Sequence, residues 1–276
     1  MEQKIRLVTD STAYLPAKTL QKYPFIDIVP LSVNFEDDNM LDYVENNSIF
    51  VEKLENSDNL PTTSRPSPEQ FLEVFRPVVQ AGGEVICITL SSKLSGTYES
   101  ALTAAREVDE EKITVIDSKV TAAGLAYLAE QAAELVLQGK KRKEIVDIIT
   151  EKAEKIKIVL IPATLEYLKK GGRIGGAKAF LGTIMNIKPI LYVTDGKVEA
   201  LDKVRTTKKA LARLVDEMPA DAKRIVVAHL MAPEVAEKIK ALIANKATNA
   251  RIDVVELGPV ISVHVGPGVV GAILCD

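Results

Sequence analysis

Residues 84–98, EVICITLSSKLSGTY, carry a short apolar strand, Val85 to Leu90, straight into a run of hydroxyl side chains and then into a helix. In α/β proteins ligands collect beyond the carboxyl ends of strands. A helix that begins there offers unpaired N–H groups and the positive end of its dipole to a phosphate or carboxylate. Ser91, Ser92, Ser95, Gly96, Thr97 and Tyr98 all sit at this junction. Capping by Ser95 or Thr97 accounts for one hydroxyl. The surplus points to an anion cradle.

The same pattern recurs on both sides of that stretch. Residues 5–9 form a strand that ends in Asp10-Ser11-Thr12, and Pro16 opens a helix, as proline does at a first helical position. Residues 26–35 read as a second strand and 48–54 as a helix. The proline-rich stretch 59–68 is a stiff polar loop before a helix that begins at Glu69 and is capped by Ser67. Residues 112–116 are another strand, ending in Asp117-Ser118 much as the first ends in Asp10-Ser11. Strand, helix, strand is the order of a parallel sheet. The helix over 120–138 has one small side, with Ala122, Ala123, Gly124, Ala126, Ala129, Ala132 and Ala133. That side suits either close packing on the sheet or the wall of a cavity. Residues 142–156 have an ordinary amphipathic pattern.

After the strand at 158–162 the character changes, which places a domain boundary there: residues 1–161 and 162–276. Residues 165–172 form a helix stopped by glycine, and the stretch 177–186 is largely apolar. Residues 187–193 and 197–204 flank Asp195-Gly196 as a hairpin. Helices at 206–218 and 233–245 alternate with strands at 224–229 and 251–257, and a last apolar strand runs to Cys275. The expected fold is α/β in two domains, the N-terminal one with a parallel sheet and the C-terminal one with a mixed sheet.

At 276 residues and 47% hydrophobic, the chain is long enough for two cores. Thirty-five Lys and Arg against 38 Asp and Glu give a net charge of −3, which offers nucleic acid no general attraction. The charged N-terminus passes directly into a strand, and no apolar run approaches the roughly 20 residues needed to span a bilayer. A cytoplasmic protein without stable membrane insertion is expected. Cys87 and Cys275 have no metal-ligand or redox spacing, so no metal is expected and both thiols read as inert.

Two side chains stand out in the second half. His264 lies between the pairs Gly258-Pro259 and Gly266-Pro267, where backbone can approach a ligand closely and an imidazole can donate or accept a hydrogen bond. Arg173 is flanked by Gly171-Gly172 and Gly175-Gly176, and its guanidinium fork matches a carboxylate or phosphate. His229, at a strand end without such a frame, reads as structural.

Five motifs in order carry a family resemblance: Asp10-Ser11-Thr12, the stretch Pro61-Thr62-Thr63-Ser64-Arg65-Pro66-Ser67, the Ser91 to Tyr98 run, Leu168-Lys169-Lys170-Gly171-Gly172-Arg173-Ile174, and Gly258-Pro259-Val260-Ile261 with His264-Val265-Gly266-Pro267-Gly268. Together they resemble the DegV family over nearly the whole chain. The resemblance implies a bacterial lipid-binding carrier that buries a long-chain fatty acid such as palmitate, stearate or oleate, with the carboxylate near the domain interface. It also implies a partner, a fatty acid kinase that makes acyl phosphate for phospholipid synthesis. Carried over by motif, the carboxylate contacts fall on Thr62, Thr63, Ser92, Ser95 and His264, with Arg173 close by, and Arg205 matches a basic position used against the kinase. Ser262, Tyr14 and Tyr43 depart from the family pattern, and Ser262 and Tyr43 bear on loop geometry and hence on the ligand preferred. The alternative is a small-molecule phosphotransferase or hydrolase using Ser92 or Ser95 with His264. The carrier is preferred because the chain offers no Ser-His-Asp order, no metal set and no Walker loop.

Overall fold

Leu7 pairs with Ile26 on one side and Ile86 on the other, in parallel register, in the computed structural model, which describes residues 4–57, 59–182 and 187–276. The first unit, Met1–Glu154, is built on that pairing. Its strands are β1 (Ile5–Asp10), β2 (Ile26–Val29), β3 (Ser32–Asn34), β4 (Asn39–Leu41), β5 (Thr62–Ser64), β6 (Glu84–Thr89) and β7 (Ile113–Asp117). Its helices are α1 (Ala17–Lys22), α2 (Asn47–Glu55), α3 (Pro68–Gln80), α4 (Thr97–Val108), α5 (Ala123–Leu137) and α6 (Arg142–Lys155). A four-stranded parallel sheet runs β2-β1-β6-β7, as the apolar strand–helix alternation implies.

One face of this sheet, carrying Val8, Val85 and Cys87, packs against Phe71 and Phe75 of α3 and Ala101 and Ala104 of α4. Successive strand residues alternate in face, so Leu7, Ile86 and Ile88 point the other way. There α5 lies against β1 and β6, burying Gly124, Ala129, Ala132 and Ala133. Its small residues thus serve close helix-to-sheet packing. Helix α3 starts as the sequence implies, with Ser67 donating its N–H to the Gln70 side chain at 2.9 Å.

The stretch 26–35 is two strands rather than one. Pro30 has no N–H for a sheet ladder, and the chain leaves the parallel sheet there. Leu31 instead donates its N–H to Ser11 Oγ at 3.0 Å. β3 then joins a small antiparallel sheet, β4-β3-β5. β5 lies within the proline-rich stretch read as loop, with Val33 opposite Thr63.

The second unit, Lys155–Asp276, contains strands β8 (Lys157–Ile161), β9 (Lys188–Thr194), β10 (Lys197–Val204), β11 (Arg224–His229), β12 (Arg251–Glu256) and β13 (Val270–Leu274). Helices α7 (Glu166–Lys170), α8 (Thr207–Asp216), α9 (Pro233–Lys246) and α10 (Pro259–Val265) connect them. Its six-stranded mixed sheet runs β10-β9-β8-β13-β11-β12. Only the β11–β12 pair is parallel. Val159, Ile190, Leu214, Ile225, Val227, Ile239 and Ile243 share one core.

This topology moves the boundary. The strand expected to close the first domain at residue 161 is β8, which pairs with β13 and β9 and so opens the second unit. The hairpin forms where Asp-Gly placed it, with Asp195 and Gly196 at φ of 48° and 77°. Residues 183–186 of the apolar stretch lie outside the described residues. Between the two Gly-Pro pairs that flank His264 lies a short helix. Pro259 occupies its first position and Gly266, at φ 75°, ends it.

Candidate functional site

The parallel sheet brings the carboxyl ends of β1, β6 and β7 side by side, with Thr9 opposite Ile88 and Thr89 opposite Asp117. Two carboxylates grip the chain as it leaves β6. Asp10, fully buried, accepts from the Leu90 N–H at 2.6 Å through Oδ2, and from the Thr12 N–H and hydroxyl at 3.0 and 2.6 Å through Oδ1. Asp117 accepts from the Ser92 N–H at 3.0 Å and from the Lys119 N–H at 3.1 Å, and the Ser92 hydroxyl donates to its other oxygen. Between these anchors the loop folds on Ser91. Its Oγ accepts from the Lys93 N–H at 3.1 Å, and its carbonyl accepts from the Leu94 and Ser95 N–H groups at 3.0 and 3.1 Å. Ser95 Oγ lies 2.9 Å from Thr97 Oγ1 and receives the Thr97 N–H at 3.4 Å, while Gly96 is the N-cap of α4.

Burial governs the charge here. It raises the Asp10 carboxyl to about 6 against the opposing pull of its hydrogen bonds to Thr12 and Leu90. Burial and the nearby Asp10 charge push the Cys87 thiol well up, leaving it a protonated, inert side chain. Backbone strain collects at the same end of the sheet: Tyr14, Lys119 and Ala122 have φ of 46°, 57° and 52°. Such conformations persist where surrounding contacts over-determine them, often at functional sites.

The expected hydroxyls are not equivalent. Ser92 has one hydroxyl hydrogen, and it goes to Asp117. Ser95 is half-buried and shares its hydrogen bond with Thr97, either of which can donate. Thr62 is exposed on β5 and accepts from the Asn34 amide at 3.4 Å, whereas Thr63 occupies the other face of that strand, half-buried.

In the second unit, α7 ends at Gly171 and Gly172, and Arg173 turns back to donate to the Gly171 carbonyl at 2.7 Å. The His264 ring, on α10, lies against Gly171 so closely that a Cβ there would overlap its Nδ1. The turn therefore brings together Arg173 and His264, the two side chains singled out in this half. Burial and then the Arg173 charge push His264 down to about 4, so at neutral pH it is an uncharged imidazole with one N–H donor. Arg205 is exposed between β10 and α8, near exposed Lys203, Lys208 and Lys209. Ser95 and Thr63 supply hydroxyls within the first unit, and Arg173 with a neutral His264 imidazole supplies N–H groups within the second. No cluster of three or more His, Cys, Asp or Glu able to hold a metal ion occurs among the described residues.

A family model described as "Uncharacterised protein, DegV family" matches residues 4–276. The chain belongs to the DegV family. A DegV domain-containing protein of Clostridium acetobutylicum is 37% identical over 276 residues, 97% of this chain and 96% of the relative. A DegV family protein of Thermus thermophilus, solved for its fatty acid binding, superposes with a TM-score of 0.89 at 34% identity over 99% of both chains. A stearic acid-binding protein of Eubacterium ventriosum does so with a TM-score of 0.87 at 26% identity over 98% of both. DegV likeness therefore extends through both units.

Three residues of this DegV chain matter more than their motifs announced. Asp117 anchors Ser92, and its only sequence signal is the repetition of Asp10-Ser11 as Asp117-Ser118. Asp42 is fully buried, accepting the Ser11 hydroxyl at 2.8 Å and the Tyr14 hydroxyl at 3.2 Å across a long sequence separation. Arg65 donates to the Gly96 carbonyl at 3.0 Å and lies where a Gly96 side chain would be. Gly96 itself was the hint of that close approach. No described helix is long and apolar enough to cross a membrane.

Proposed function

We propose that this DegV protein is a cytoplasmic, non-enzymatic carrier that binds a long-chain fatty acid, such as palmitate, stearate or oleate, and presents its carboxylate to a fatty acid kinase. The observation that carries the reading is the whole-length match to DegV proteins known for fatty acid binding, in a chain whose polar motifs supply anion donors. The carboxylate donors are drawn from Ser95, Thr63, Thr62 and Ser92 in the first unit and from His264 and Arg173 in the second. Of these, Ser92 has the least capacity, because it commits its hydrogen to Asp117.

An acyl chain gains about 0.8 kcal/mol per buried methylene, whereas its carboxylate costs several kcal/mol to desolvate without donors. The neutral imidazole and one guanidinium offer N–H donors for that purpose, and with its value held down to about 4 the imidazole is a weak base. Serine hydrolysis needs a base on the nucleophile. Here Ser95 is bonded to a threonine hydroxyl rather than to a base, which favours holding over turnover at that residue. Arg205, exposed at the start of α8, is the proposed contact for the kinase.

Native mass spectrometry of the protein purified from a bacterial host tests the reading. A stoichiometric mass identified on extraction as a fatty acid is expected, with His264→Ala and Ser95→Ala each retaining less. A protein that is empty and takes up neither oleate nor palmitate would remove the carrier reading.

A further inference from the structure

Asp10 is a fully buried carboxylate on no apparent errand of its own: its contacts all hold neighbouring chain in place. Three donors converge on its two oxygens. Two come from Thr12, in the turn after β1, and one from Leu90, the residue that starts the Ser91–Ser95 loop eighty positions later. The Leu90 bond crosses from one strand end to the next. It sets where the loop leaves the sheet, while Asp117 fixes Ser92 from the other side. The Thr12 hydroxyl is itself held by the Thr121 hydroxyl at 3.2 Å, which ties the turn before α5 to the same carboxylate.

Asp117, at the same end of the sheet, holds Ser92 of the same loop through its N–H and hydroxyl. Cys87 on β6 carries a neutral thiol, and Asp42 receives the hydroxyls of Ser11 and Tyr14. On the opposite face, α5 brings Tyr127, bonded by Lys152, and Glu130, bonded by Thr19. Helices α3 and α4 contribute apolar side chains, Phe71, Phe75, Ala101 and Ala104. None of the hydrogen bonds to Asp10 comes from a cation.

We propose that Asp10 is the positioning residue of the head-group loop, and that its ionisation couples fatty acid retention to pH, retention falling on acidification. The coupling rests on the carrier reading given above; the grip on the loop does not. Ionised, Asp10 satisfies the Leu90 and Thr12 donors together. Protonated, one oxygen carries an O–H and becomes a poorer acceptor for the N–H it faces, so the contact to Leu90 or Thr12 weakens. One such bond is worth about 1 kcal/mol, which converts to a roughly fivefold change in retention. With the carboxyl raised to about 6 by burial, the change falls within the mildly acidic range.

The experiment follows oleate retention by the full-length protein from about pH 7.5 to about pH 5, a span that brackets the Asp10 titration. Wild type, Asp10→Asn and Thr12→Val are compared, and the Leu90 amide is followed by 15N NMR over the same range without ligand. Asp10→Asn cannot ionise, so it retains roughly fivefold less at the upper end and keeps only the pH dependence of oleate's own carboxyl. Thr12→Val loses a donor to the ionised form, so the wild-type midpoint moves up, a shift that a purely structural role would not produce. A wild-type pH profile in Asp10→Asn, or an unmoved midpoint in Thr12→Val, overturns the coupling. If Asp10→Asn does not fold, the Thr12→Val comparison decides. A protein that takes up no oleate at any pH removes the carrier reading and the coupling with it. The Leu90 amide then decides the grip by itself, which fails if that amide does not titrate.

Discussion

His264 shows how burial, rather than residue type, decides chemistry at a single position. Its imidazole is held down to about 4 by burial and by Arg173, against an ordinary value of 6.5. The unfolded chain therefore binds this proton more readily than the folded one below pH 6.5, and stability is lost as pH falls through that window towards 4. At pH 5 the loss amounts to about 2 kcal/mol from this group. Thermal melts at neutral pH and at pH 5 check it. His264→Gln, which stays neutral, is expected to lose less stability than wild type between the two, and an equal loss would mean that the ring is not held in its uncharged form. Asp10 runs in the opposite sense. Its carboxyl is raised above the usual value, so the folded state gains from protonation and that gain fades as pH rises through about 6. The pairwise comparison with a His264 variant is needed because the two groups offset each other in the wild-type curve.

Among the elements, α10 depends on its last turn. Gly266 ends it at φ 75°, and a Cβ at that position would run into the Tyr167 ring of the neighbouring α7. Gly266→Ala should cost about 2–4 kcal/mol, since strained backbone and overpacking each contribute. Urea denaturation monitored on the second unit measures it, and a cost near zero would mean that the α7–α10 contact is loose. This helix was not legible in the sequence. Val260-Ile261-Ser262-Val263-His264-Val265 is rich in β-branched residues, and only its flanking Pro259 and Gly266 signal helix ends. The parallel strands were legible because β6 carries a continuous apolar run, Val85 to Ile88, and β1 and β7 are short, mostly apolar segments that each end in an Asp-Ser pair. The antiparallel β4-β3-β5 sheet was not, since its strands span three residues each and β5 is wholly polar between two prolines. At the site, hydroxyls and histidine could be named in advance. Asp10 and Asp117 stood in named motifs, but the role of Asp42 could not be read, because it meets Ser11 only through the fold.

For the whole molecule, the placement of β8 decides where it can be divided. β8 is interior to the six-stranded sheet, bonded on both edges. A fragment covering residues 155–276 keeps it and should give a dispersed amide NMR spectrum of a folded domain. One that begins at residue 162 lacks it, leaves β9 and β13 with open edges, and should be unfolded or aggregated. Two fragments with the same behaviour would mean that the sheet does not organise the second unit. The pairing of β8 with β13 reaches further, because these are the first and last strands of that unit and Lys157 sits opposite Leu274. Facing residues of an antiparallel pair lie about 5 Å apart, so the chain at Lys157 and at Leu274, near the two limits of the unit, is side by side. A linker of a few residues could join them, and fresh termini could be opened at the Asp195-Gly196 turn without cutting a strand. The second unit is thus suited to circular permutation, and to being spliced as an intact cassette into a surface loop of another protein.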